Sequence, residues 1–165
     1  MSASATPLHR LPDTQWLADG PTRGVEPLLE EGGVLVFERL TFELSEDERR
    51  FLDPRWTDGK AKNISLRWPG GSKGELRGAV GDAADLAALD ALITRYAEHA
   101  QALALRLFPH YRGHLVRGNT SLRPVAIEGR ESSWRKDDTR LHVDAFPSNP
   151  TRGARLLRVD RKSVV

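Results

Sequence analysis

The chain has 165 residues, 39% hydrophobic and 29% charged, with 25 Lys and Arg against 23 Asp and Glu, which suits one domain with a core and excludes wholesale disorder. The absence of cysteine excludes a disulfide scaffold, a Cys-ligated zinc or iron–sulfur centre and a cysteine nucleophile. No apolar run approaches the roughly 20 residues that cross a bilayer, and Met1–Arg10 lacks the apolar stretch of a secretion signal, so a soluble, intracellular protein is expected.

Residues 1–32 are punctuated by Pro7, Pro12, Gly20, Pro21, Gly24 and Pro27 and close on Gly32-Gly33, which predicts loose organisation. Val34-Leu35-Val36-Phe37 reads as a short buried strand. Ser45 and Glu48 have the capping-box spacing of a helix start, and Pro54 stops that helix. Residues 57–81 are loop-rich, with Trp68-Pro69-Gly70-Gly71 as a strong turn signal. From about 82 to 107, Leu86, Leu89, Ile93, Tyr96, Ala100, Leu103 and Leu107 recur every three or four residues, as one stripe of a helix would. Asp82, Asp85 and Arg106 suit its dipole, and Pro109 ends it. Tyr96 and His99 on it read as packing and surface residues.

Beyond Pro109 the pattern changes. Short apolar stretches at Leu115-Val116, Leu122, Val125-Ala126-Ile127, Leu141-Val143 and Leu156-Leu157 are broken by Gly, Asn, Ser and Pro, the pattern of brief strands in a sandwich or jelly roll. The fold class is therefore α+β. A mixed, partly helical region over 1–112 precedes the beginning of a β-structure over 113–159. Charge divides similarly: residues 1–100 hold 12 basic and 17 acidic side chains, residues 101–165 hold 13 and 6. An anionic partner or a solvated Arg-rich face would account equally for the basic part.

No Gly-rich phosphate loop, His-Glu-x-x-His or Gly-x-Ser-x-Gly occurs. The best chemical candidate is His142-Val143-Asp144 on an expected strand, where residues two apart share a face. One imidazole and one carboxylate are two thirds of the facial triad that holds non-haem Fe(II), leaving positions for a chelating co-substrate and dioxygen. A hydrogen-bonded His/Asp pair at a strand end would give the same pattern.

The surroundings are more specific. Ser132-Ser133-Trp134-Arg135-Lys136-Asp137-Asp138-Thr139-Arg140 leads into this motif, and Ala145-Phe146-Pro147-Ser148 follows it. With Asn119-Thr120-Ser121-Leu122-Arg123-Pro124-Val125 upstream, the run closely resembles the Kdo hydroxylase family. Those enzymes are similar to Fe(II)/2-oxoglutarate dioxygenases and act on the acidic sugar Kdo of the lipopolysaccharide inner core. The resemblance is dense over 119–159 and thinner over the first hundred residues. It implies the first strands of a double-stranded β-helix, or jelly roll, over 113–159, and His142 and Asp144 as iron ligands. It also implies Fe(II), 2-oxoglutarate and O2 as reaction partners, with ascorbate as an optional addition. Arg123, Arg135, Lys136 and Arg140 are candidates for binding the carboxylates of 2-oxoglutarate or of the sugar, since an Arg fork matches a carboxylate. Ion pairs with Asp137, Asp138 or Glu131 are the alternative for the same side chains. Trp134 would stack on a sugar or plug the sheet.

One departure stands out. The third ligand expected of this family is a downstream His, and no histidine follows His142. His9, His110 and His114 read as loop or surface residues instead. Family likeness stops near Val159, and Asp160–Val165 resembles a translated sequencing adapter, a non-native tail. The sequence is thus expected to be a C-terminally truncated fragment with an incomplete barrel and no turnover of its own. For the parent protein, the expectation is a cytoplasmic enzyme, peripheral at the inner membrane of a Gram-negative bacterium, acting on an acidic glycolipid. A non-catalytic module for acidic sugar or lipopolysaccharide is the alternative. Nucleic-acid binding ranks last, because no interleaved aromatics accompany the basic residues.

Overall fold

A computed structural model of the chain describes residues 8–17, 24–61, 63–124 and 150–161. The first sheet pairs β1 (Leu8–Leu11) with β2 (Val34–Phe37) in parallel, Leu8 opposite Val34 and Leu11 opposite Phe37. Strand β2 lies where the apolar run predicted it but is not buried as expected: Val34 is 50% exposed and Leu35, Val36 and Phe37 are half-buried. Strand β1 and the helix α1 (Glu26–Glu30) lie in the stretch expected to be loose. Helix α1 carries Pro27 in its first turn, where the missing N–H breaks no bond.

Helix α2 (Glu46–Arg49) begins with the predicted capping box. The Glu48 amide donates to Ser45 Oγ at 3.2 Å, and the Ser45 amide donates back to Glu48 Oε2 at 2.9 Å. The helix tightens into a 3₁₀ turn, Arg50–Leu52, and a second such turn, Pro54–Trp56, starts anew behind Asp53, whose carboxylate accepts from the Arg55 amide at 2.8 Å.

The second sheet holds β3 (Ile64–Leu66), β4 (Leu76–Arg77) and β5 (Thr120–Leu122) in the order β4-β3-β5, with both pairings antiparallel. The predicted turn separates β3 from β4. Gly70 and Gly71 there have φ of +60° and +86°, values that a Cβ disfavours. Helix α3 (Ala83–Leu107) follows, capped by Asp82, whose Oδ1 accepts from the Asp85 amide at 2.8 Å. Its buried face includes Leu89, Ile93, Leu103 and Leu107 as the stripe predicted, and Leu92, Ala97 and Ala104 widen it.

The core lies between α3 and the sheet. Ile64 and Leu66 are 0% exposed and share one cluster with Leu89, Ile93, Phe51 and Phe108. One flank of the same cluster is aromatic: Trp16, Phe42 and Tyr96 meet edge to face at centroid separations of 5.2–6.2 Å, with His99 against Phe42 at 5.5 Å. Tyr96 packs as expected, whereas His99, expected in part as a surface residue, has its ring against Trp16 and Phe42 and its Nδ1 buried.

Two expected strands do not form. Leu115-Val116 and Leu156-Leu157 lie in irregular backbone, Val116 being 74% and Leu156 60% exposed. Neither pair is joined to a ladder, and apolar side chains make no strand without partners for their backbone groups. The expected strands at 125–127 and 141–143 fall outside the described residues. Among the described residues the sheets have two and three strands and do not close into a barrel, and no helix is long and apolar enough to cross a membrane.

Candidate functional site

Strand alternation decides which side chains of the second sheet reach solvent. Ile64 and Leu66 turn inward to the core, so Ser65 turns outward. Ser121 of β5 stands opposite Ser65, their hydroxyls 2.8 Å apart, and Arg77 of β4 stands opposite Ser65 on the other side. Continuing the same register by two residues brings Asn63 beside Arg123, whose Nε donates to Asn63 Oδ1 at 2.7 Å. The outward face therefore carries hydroxyls, an amide and guanidinium groups over a fully apolar inner face. Such a set can bind carboxylates through Arg and sugar hydroxyls through Ser and Asn.

The backbone beneath Asn63 is set by its neighbours. Asp58 accepts from the amides of Lys60 and Ala61 at 2.9 and 2.8 Å and so closes the turn before the strand. Those N–H bonds, from Ala61 first and then Lys60, hold its carboxyl below the usual range. On the β4 side, Gly78 has φ +77°, and a Cβ there would lie 2.6 Å from the Asn63 carbonyl oxygen. Only glycine lets the two strands approach this closely.

Of the candidate site residues, Arg123 is placed on this face. His142, Asp144, Arg135, Lys136, Arg140 and Trp134 lie outside the described residues. Among the described residues, no three His, Asp or Glu side chains gather as a metal centre requires. His110 instead pairs with Glu26 at the surface, and His114 is exposed. The described donor set by itself therefore does not fit an iron ion, and an iron assignment rests on His142 and Asp144. Sequence reasoning missed Asn63, Ser65 and Ser121 as neighbours of Arg123. The in-out-in reading of Ile64-Ser65-Leu66 was available, but three residues are too few to mark a strand.

The chain is similar to solved structures of the Kdo hydroxylase KdoO, described as a non-heme Fe(II) alphaketoglutarate-dependent dioxygenase. The apo form matches with 44% identity and a TM-score of 0.77, covering 89% of this chain and 49% of that one. The cobalt(II) complex matches with 44% identity and a TM-score of 0.78, and the complex with alphaketoglutarate and Fe(III) with 42% and 0.76, over the same shares. The chain thus spans about half the length of these structures. No curated protein matches. Residues 13–161 match the family described as 3-deoxy-D-manno-oct-2-ulosonic acid (Kdo) hydroxylase. The chain belongs to the Kdo hydroxylase family.

Proposed function

We propose that the protein is an Fe(II)- and 2-oxoglutarate-dependent dioxygenase that hydroxylates Kdo in the lipopolysaccharide inner core, and that this chain carries part of it. The observation behind this reading is the 44% identity and shared fold with KdoO over 89% of the chain. In this reading His142 and Asp144 are two iron ligands, and the third is a His that this sequence does not contain. When bound, iron and 2-oxoglutarate supply the oxidising power: decarboxylation to succinate and CO2 accompanies transfer of one oxygen atom from O2 to a sugar C–H. The chain's own residues bind and orient. Arg123, with Arg135, Lys136 and Arg140, meets the carboxylates, and Ser65 and Ser121 offer hydroxyls on the outward face, which becomes an inner wall once a jelly roll closes over it. Residues 1–112 contribute β3 and β4 to that wall and brace it through α3, and 113–159, from β5 onward, continue the jelly roll. The enzyme works on the cytoplasmic side, peripheral at the inner membrane.

The test uses the protein at the full length of its relatives, with Fe(II), 2-oxoglutarate, O2 and a Kdo-bearing lipid A precursor. Equal amounts of succinate and hydroxylated glycolipid are expected, and His142→Ala should abolish both. Glycolipid binding without succinate from the wild type would replace the oxygenase reading with that of a non-catalytic binding module. The 165-residue chain alone is expected to form no succinate.

A further inference from the structure

We infer that Ser65 and Ser121 act as one unit that reads a hydroxyl of the sugar substrate and takes no part in binding 2-oxoglutarate. This rests on the reading of the outward face of β4-β3-β5 as an inner wall of the whole enzyme, and it assigns the centre of that wall to one of the two ligands. The two serines stand opposite each other on strands that meet across 56 residues of sequence, their oxygens 2.8 Å apart. Each hydroxyl has one donor and two lone pairs, so the bond between them leaves the pair with one donor and three lone pairs. Among the described residues neither oxygen has a second partner. On a wall that turns inward such groups are costly unless something meets them. A pair with one donor and a surplus of acceptors is complemented by other hydroxyls, which both donate and accept. A sugar supplies them. The carboxylates and ketone of 2-oxoglutarate only accept, and would leave every remaining lone pair of the serines unmet.

The charge around the pair suits the same ligand. Strand alternation puts exposed Arg67 on the face with Ser65, and the Arg67 amide donates to the Glu75 carbonyl at 3.4 Å, which carries the β3–β4 register one step further. Arg67, Arg77 and Arg123 therefore surround the serines, with Glu75 as the acidic partner of Arg77. That excess of positive charge draws an anionic glycolipid to the face, and the inference asks nothing else of the arginines. The other use of such a pair is a cross-strand tie between β3 and β5, which would show in stability and not in binding.

A double-mutant cycle in the full-length protein decides between them, with wild type, Ser65→Ala, Ser121→Ala and the double variant. The Kdo-bearing lipid A precursor is titrated by calorimetry, 2-oxoglutarate is titrated separately with cobalt(II) in place of iron, and Tm is recorded for each protein. Each single variant should weaken the glycolipid about tenfold, the effect of losing roughly one well-placed hydrogen bond. The double variant should fall well short of the product of the two losses, because the serines act together. Affinity for 2-oxoglutarate should stay within error throughout. A lowered Tm with unchanged glycolipid affinity would leave the serines as a strand tie and overturn the inference. Weakened 2-oxoglutarate, or single losses that multiply in full, would overturn it as well. Should an alanine variant fold poorly, valine takes its place with the same expectation, being a stronger strand former without a hydroxyl. Binding is read apart from turnover, so a wild type that binds the glycolipid without producing succinate defeats the oxygenase reading and still tests the serines. Normal succinate and hydroxylated glycolipid, with alanine variants that bind as wild type, defeats the inference and leaves the function standing.

Discussion

Tyr96 shows how one hydroxyl joins distant parts of the chain. Its ring packs against Trp16 and Phe42, and its OH donates to the Val159 carbonyl at 3.0 Å, 63 residues later. Burial first, and then the negative charge of Asp160, push the phenol up to about 12. A pKa raised above the unfolded value of about 10 means that the neutral form is favoured by folding, so its contribution is complete below pH 10 and is lost between 10 and 12. In an absorbance titration Tyr96 should ionise only near the upper end of that window. Tyr96→Phe should cost about 1 kcal/mol and lower Tm by roughly 2–4 °C, with proteolysis near residue 159 accelerated. An unchanged melting curve would mean that the 150–161 segment is held by apolar contact alone.

At the scale of elements, α2 depends on its first residue and on a neighbouring helix. Glu48 closes the capping box with Ser45 and receives both Arg95 NH2 contacts, at 2.7 and 2.8 Å, while the Arg95 guanidinium also covers the Phe42 ring at 4.3 Å. Partial burial pushes the Glu48 carboxyl up, but the Ser45 amide and Arg95 outweigh it and leave it lowered. A lowered carboxylate stabilises the fold above its unfolded pKa of about 4.3 and loses that effect as pH falls through the folded value. Ser45→Ala should cost about 1 kcal/mol near neutral pH, and the acid limb of a pH–stability curve should flatten in Glu48→Gln. A limb identical to wild type would assign acid sensitivity to other carboxylates. The same elements show what a sequence can disclose. The capping box, the Asp82 cap, the stripe of α3 and the Gly70-Gly71 turn are local signals, readable within a few residues. Strand β1 is defined by a partner more than twenty residues away, and β3 and β5 are three-residue strands whose identity is their pairing. The candidate site divides similarly. Arg123 stood out within a motif, whereas Asn63 gained meaning only when register set it alongside.

For the molecule as a whole, the N-terminal segment is fastened across the far end of α3. Arg106 donates to Asp13 Oδ1 at 2.7 Å with both side chains only 10% and 11% exposed, and Arg106 also reaches the Gln15 carbonyl at 3.4 Å, next to buried Trp16. Removing one member of a largely buried pair strands the other charge, so Asp13→Ala should cost about 3 kcal/mol. Adding Arg106→Leu should recover part of that loss. A denaturant midpoint within error of wild type for Asp13→Ala would show that the segment is peripheral to the fold. A last consequence concerns the order of assembly. Strand β3 meets β4 after a short turn, but its other edge waits for β5, more than fifty residues later with the whole of α3 between. During synthesis that edge is bare until the ribosome has delivered residue 122, and such pairing of high sequence separation forms slowly. A three-residue edge offers a poor template for stray chains, so the brevity of β3 doubles as protection for the nascent polypeptide.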